Sequence, residues 1–136
     1  MALVVPNGGE TVLLDRLLKL TNVTDNYLLH LYKNNYTPLS TSVKSDFTEA
    51  DFTNYAATTL TRSTWASSTL NGSNKAESTY AAQSWTCGVT TNTVYGYYVT
   101  DSTDTTLLWA EQFGIARTLA QNDILSVTPV FTLSSE

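Results

Sequence analysis

The sequence predicts an all-β protein: a Greek-key or jelly-roll-like β-sandwich with an extended N-terminal arm and one short N-terminal helix. Three observations predict it. Threonine supplies 24 of the 136 residues, and its β-branched side chain disfavours helix and suits a half-exposed pleated surface. Eight Tyr and three Trp add side chains that strands favour. Short alternating runs recur about every 10–14 residues between turn signals. No repeat with a period of roughly 20–50 residues is present, which argues against a solenoid or propeller. The length fits one domain. Residues 1–20 form the arm and helix, and residues 21–136 a single sandwich.

Residues 1–9 read as the arm. Pro6 fixes φ, and Asn7-Gly8-Gly9 is a turn signal. Residues 10–20 are the helix. Leu13, Leu14, Leu17 and Leu18 fall at i, i+1, i+4 and i+5, on one face. Glu10 in the first turn and Lys19 in the last suit the helix dipole. That leucine stripe can pack on its own domain or on another subunit.

After residues 21–26 the period changes. Residues 27–32 alternate with both faces apolar, which marks a central strand covered on both sides. Asn34-Asn35 breaks it. Residues 45–55 read as an irregular connection pinned by Phe47, Phe52 and Tyr55, with room for one helical turn after Thr48. Residues 57–63 form a strand around Leu60. Asn71-Gly72 signals a hairpin with arms at 65–69 and 76–80. Residues 83–87, 93–100 and 106–113 are further strands, with turns at 101–104 and 121–123. The last strand alternates Leu125, Val127, Pro129 and Phe131. Pro129 lacks an N–H and places that strand at an edge.

Composition excludes several functions. Net charge is -5 with only seven Lys plus Arg, too few for a stripe that neutralises phosphates or docks on anionic lipid. No apolar run approaches a membrane span. The N-terminus lacks the charged region and apolar length of a signal peptide, so cytoplasmic synthesis is expected. The sequons at Asn22, Asn35 and Asn71 are about what chance yields in a chain this rich in Ser and Thr. The single cysteine, Cys87, closes no intrachain disulfide and reads as a small buried apolar residue.

Catalytic chemistry finds little footing. The one histidine, His30, sits mid-strand between two leucines and reads as a core or interface residue with one hydrogen bond. A Ser-His-Asp site or a zinc site therefore lacks its parts. Glu111 beside Trp109 is the one suggestive acid for glycoside chemistry, but a lone carboxylate is half of the usual pair. Glu49, Asp51, Asp101 and Asp104 fit caps and Asx-turns. Trp65, Trp85, Tyr95, Tyr97, Tyr98 and Trp109 suit a core or interface better than a sugar-stacking platform. No enzymatic activity, cofactor or metal is expected.

The order of six segments carries a resemblance. They are Val-Pro-Asn-Gly-Gly-Glu-Thr-Val-Leu-Leu-Asp-Arg-Leu-Leu at 5–18, Leu-His-Leu-Tyr-Lys-Asn at 29–34 and Asp-Phe-Thr-Glu-Ala-Asp-Phe-Thr-Asn-Tyr at 46–55. Leu-Thr-Arg-Ser-Thr-Trp at 60–65, Val-Tyr-Gly-Tyr-Tyr-Val at 94–99 and Leu-Leu-Trp-Ala-Glu-Gln-Phe at 107–113 follow. In this order they resemble a family of small virion structural proteins of tailed bacteriophages, and the resemblance spans nearly the whole chain. It implies a capsid decoration, or cement, protein on the capsid surface. Its partner would be the major capsid protein, and it would bind as a homo-oligomer, dimer or trimer. Leu3, Val4, Val5, Leu13, Leu14, Leu17 and Leu18 are then the interface candidates. A tail, baseplate or fibre component is the alternative within the virion. A carbohydrate-binding module, or a small glycan hydrolase using Glu111, is the alternative outside it.

Overall fold

Nine antiparallel strands and one α-helix make up the described part of the chain in a computed structural model. Residues 3–19 and 24–133 are described. Leu20, Thr21, Asn22 and Val23, at the end of the expected helix and in the segment after it, lie outside them. So do Met1 and Ala2 of the arm and the last three residues.

The helix α1 spans Asn7–Leu18 and begins three residues before the expected start at Glu10. The expected Asn7-Gly8-Gly9 turn is instead the first helical turn. Extended Pro6 caps it, and the Glu10 N–H donates to the Pro6 carbonyl at 2.9 Å. Packing overrides the local turn signal here. Gly9 lies against the strand that carries Leu107 and Leu108, where a Cβ would collide with the Leu108 carbonyl oxygen. Only glycine lets the helix approach that closely.

A four-stranded sheet has the order β2-β1-β6-β7. Its members are β1 (Tyr27–Tyr32), β2 (Thr58–Leu60), β6 (Thr93–Thr100) and β7 (Leu107–Thr118). Strand β1 lies between β2 and β6, the central position its two-sided apolar pattern predicts. Strand β7 runs five residues past the expected end at Phe113. The register with β6 shifts between Val94↔Arg117 and Gly96↔Gln112, so residues 113–116 bulge and expose Ile115.

Two smaller sheets cover the main core. One has the order β3-β4-β9, from β3 (Thr69–Leu70), β4 (Ala76–Thr79) and β9 (Val130–Leu133). The other pairs β5 (Gln83–Thr86) with β8 (Ile124–Val127). Between these sheets and the large one lie Leu29, Leu31, Leu60, Trp85, Val99 and Trp109. A second cluster of Tyr32, Phe47, Tyr98, Leu107 and Ala110 completes the apolar interior. The arrangement is sandwich-like and all-β.

Three connections differ from expectation. The helical turn in the 45–55 connection is a 3-10 turn at Lys44–Asp46, before Thr48 rather than after it. Asp46 fixes it by accepting from the Val43 N–H at 2.9 Å. The hairpin forms, but its first arm shortens to Thr69–Leu70 and its left-handed residue is Asn74, not Gly72. Asn71 organises that turn through its side-chain oxygen, which accepts from Ser73 and Lys75 N–H groups. The expected last strand is two strands. Pro129 falls between β8 and β9, where the chain leaves one sheet for another and needs no ladder N–H.

Candidate functional site

The arm does not stand away from the body. Val4 pairs with Ala110 of β7 through two backbone hydrogen bonds of 2.9 Å. Leu3 and Val5 pack half-buried against the main core. From Pro6 the chain turns into α1, which lies along β7.

The helix buries a different face from the one its leucines mark. Gly9, Val12 and Arg16 face the body. Leu14, Leu17 and Leu18 are 55, 73 and 71% exposed. The cause is Gly9: only its face of the helix fits flush on β7. Leu13 and Leu14, with Leu17, instead line one wall of a groove of about 530 Å³. The arm (Leu3, Val5) and β9 (Phe131, Thr132, Leu133) line the rest, with Tyr27, Glu10, Arg16 and Arg62. Strand β9 is an edge of its sheet among the described strands. Five of the seven interface candidates, Leu3, Val5, Leu13, Leu14 and Leu17, thus converge on this groove, and Leu18 is exposed outside its lining. Val4 lies outside it too, its backbone committed to β7.

Arg16 is the residue the leucine pattern does not announce. It is 5% exposed. Its guanidinium lies 5.4 Å from the centre of the Tyr27 ring, a cation–π contact. Its Nη2 is 3.8 Å from an Asp25 oxygen, a long ion pair. Nε and Nη1 are buried without a hydrogen-bond partner. Its one sequence signal is a lone cation inside a leucine-rich helix. Behind it the aromatic floor continues: Tyr27 meets Trp109 edge-on at 5.6 Å, and Trp109 meets Phe131 at 4.9 Å.

The polar residues elsewhere form closed networks. His30 is buried but makes more than the single hydrogen bond expected of it. Nδ1 lies 2.8 Å from Glu49 Oε1, and Nε2 lies 3.1 Å from both Thr100 Oγ1 and Asp104 Oδ1. Tyr55 also donates to Glu49, and Lys44 pairs with Asp104 at 2.6 Å. The hydrogen bond with His30 chiefly holds the Glu49 carboxyl below its ordinary range, against the opposing effect of burial. Burial would raise Asp104, but bonds from Lys44 and Thr100 and the nearby His30 lower it overall. The two carboxylates face different ring nitrogens and so do not converge on one point. Among the described residues no group of three His, Cys, Asp or Glu side chains is placed to hold a metal ion.

Glu111 accepts a hydrogen bond from the Tyr97 hydroxyl at 2.8 Å, a structural use of the acid singled out for glycoside chemistry. Asp101 closes the turn at 101–104, accepting from Thr103, Thr105 and Thr106. The aromatic residues do not form an exposed platform. Trp85, Tyr97, Tyr98 and Trp109 are buried, while Trp65 and Tyr95 are half-buried. Cys87 is fully buried. No described helix is long and apolar enough to cross a membrane.

Compared with family models, with curated proteins and with solved structures, the chain gives no significant match.

Proposed function

We propose that this chain is a non-enzymatic virion structural protein of a tailed bacteriophage, a capsid decoration protein. In this reading it binds the assembled lattice of the major capsid protein on the outer face of the head. The observation that carries the reading is the exposed leucine face of α1. A large apolar side chain left in water forgoes about 1.5–3 kcal/mol of burial. Three such leucines on one short helix, beside an apolar groove, suit a surface completed by another protein. The ordered segments that resemble phage virion proteins supply the kind of protein. Homo-oligomers, dimers or trimers, fit the symmetric junctions of a shell, and a Greek-key or jelly-roll connectivity is the finer description of the sandwich that we favour. The mechanism is mass action: a protein that binds only the assembled shell stabilises that shell.

Quantitative mass spectrometry of purified virions tests this directly. A copy number of the same order as the major capsid protein supports the decoration role. A ratio typical of tail components moves the protein to the tail, baseplate or fibre. Absence from the particle discards the reading.

A further inference from the structure

We propose that the groove between α1, the arm and β9 docks an extended apolar segment of a partner protein, bearing an Asp or Glu side chain whose carboxylate pairs with Arg16. The inference rests on reading α1 as a docking surface and adds the chemistry of what docks there.

Three observations argue for this occupant. The walls are aliphatic and aromatic, so the segment is apolar. Strand β9 ends its sheet among the described strands, and such an edge favours an occupant in extended conformation, which can add main-chain hydrogen bonds while alternate side chains enter the groove. The third is charge. In a chain of net charge -5, two of its seven cations, Arg16 and Arg62, line this groove with one acid, Glu10, while a second acid, Asp25, stands 3.8 Å from Arg16. Arg16 also keeps two buried donors, Nε and Nη1, without acceptors. Buried donors left unpaired are costly, and a carboxylate can accept from one of them together with Nη2, the pairing that the guanidinium geometry allows. Asp25, 3.8 Å from Nη2, makes a long ion pair but lies beyond hydrogen-bond length. Arg16 itself lines the groove.

The test is a titration of the isotopically labelled full chain, followed by backbone and Arg Nε–H resonances. Three probes are used at millimolar concentration: acetyl-Val-Leu-Glu-Leu-Val-amide, the same peptide with Gln for Glu, and decanoate. The expected result is saturable shifts at Val5, Leu17 and Leu133 and at Arg16 Nε–H. The Gln peptide should bind roughly ten-fold more weakly, as loss of a charge-assisted hydrogen bond requires. Leu17→Asp, a change at an exposed position that leaves the fold intact, should abolish the shifts. Arg16→Lys should bring the two peptides closer together in affinity. Equal affinity of the two peptides overturns the carboxylate pairing, and absence of shifts overturns the docking segment. Decanoate binding in preference to either peptide makes the groove an acyl-carboxylate site and overturns a protein partner. Because the titration uses the purified chain, its failure is distinct from absence of the protein in virions.

Discussion

The imidazole of His30 lies flat on the ring of Tyr98, with 4.6 Å between ring centres and 7° between planes. Tyr98 is in turn stacked on Phe47 at 5.0 Å. This stack fixes the ring plane, so Nδ1 is aimed at Glu49 and Nε2 at Thr100 and Asp104. One side chain thereby ties strand β1 to the 45–55 connection and to the turn after β6. A buried His with acceptors on both sides is a structural clasp, and its chemistry is felt as stability.

The clasp predicts acid sensitivity. Glu49 and Asp104 both titrate below their ordinary values in the folded chain. A depressed carboxyl contributes stability above its unfolded pKa, and that stability is lost as pH falls through the folded pKa. Melting temperature should therefore hold steady from neutrality to about pH 5 and fall below about pH 4. Glu49→Gln should lower the neutral value and flatten the acid limb. Parallel curves for wild type and variant would show that the clasp contributes nothing to pH dependence.

Tyrosines predict the opposite limb. Burial first, and then nearby carboxylates, push Tyr32, Tyr55, Tyr97 and Tyr98 well above the ordinary phenol value. A raised pKa contributes stability below the unfolded value of about 10, and it is lost as pH rises towards the folded value. In an alkaline titration followed by phenolate absorbance, these four of the eight tyrosines should ionise only as the protein unfolds. A single smooth titration of all eight in folded protein would contradict the burial described.

The strands that were legible in the sequence are those whose two faces both carry information. Tyr27–Tyr32 and Thr93–Thr100 alternate between apolar sets, and both form over the expected residues. Legibility failed where a distant partner decides. The helix start at Asn7 depends on how closely Gly9 meets β7, which no local window contains. The split at Pro129 depends on β8 and β9 pairing with different strands. The same limit applies to the groove. The leucines were visible as a stripe, but which face of α1 is buried is set by Gly9. Arg16 becomes conspicuous only once Tyr27 and Asp25 are placed around it.

Gly9→Ala tests that control of the helix. The added methyl would meet the backbone of Leu107 and Leu108, which cannot rotate away. Overpacking of this kind costs about 1–3 kcal/mol. The midpoint of urea unfolding should fall accordingly, and protease should cut within α1 more readily than in wild type. An unchanged midpoint and cleavage pattern would mean that α1 is not seated on β7 as described.

The sharpest contrast is between Leu17→Glu and removal of the arm. Leu17 is 73% exposed, and substitutions at such positions usually change stability by less than about 0.5 kcal/mol. Leu17→Glu should therefore melt like wild type and, under the proposed decoration role, lose binding to purified heads, because a charge in the middle of the leucine face cannot be buried without a partner. Deleting residues 1–6 should behave differently. The sequence alone reads residues 1–9 as an extended arm, but Val4 exchanges two backbone hydrogen bonds with Ala110, and Leu3 and Val5 pack against the core. Truncation should thus lower stability as well as binding. Thermal melts and head-binding assays of the two variants separate the roles. If Leu17→Glu binds heads as tightly as wild type, the leucine face is not the docking surface. If the truncated chain melts like wild type, the arm is not part of the folded body.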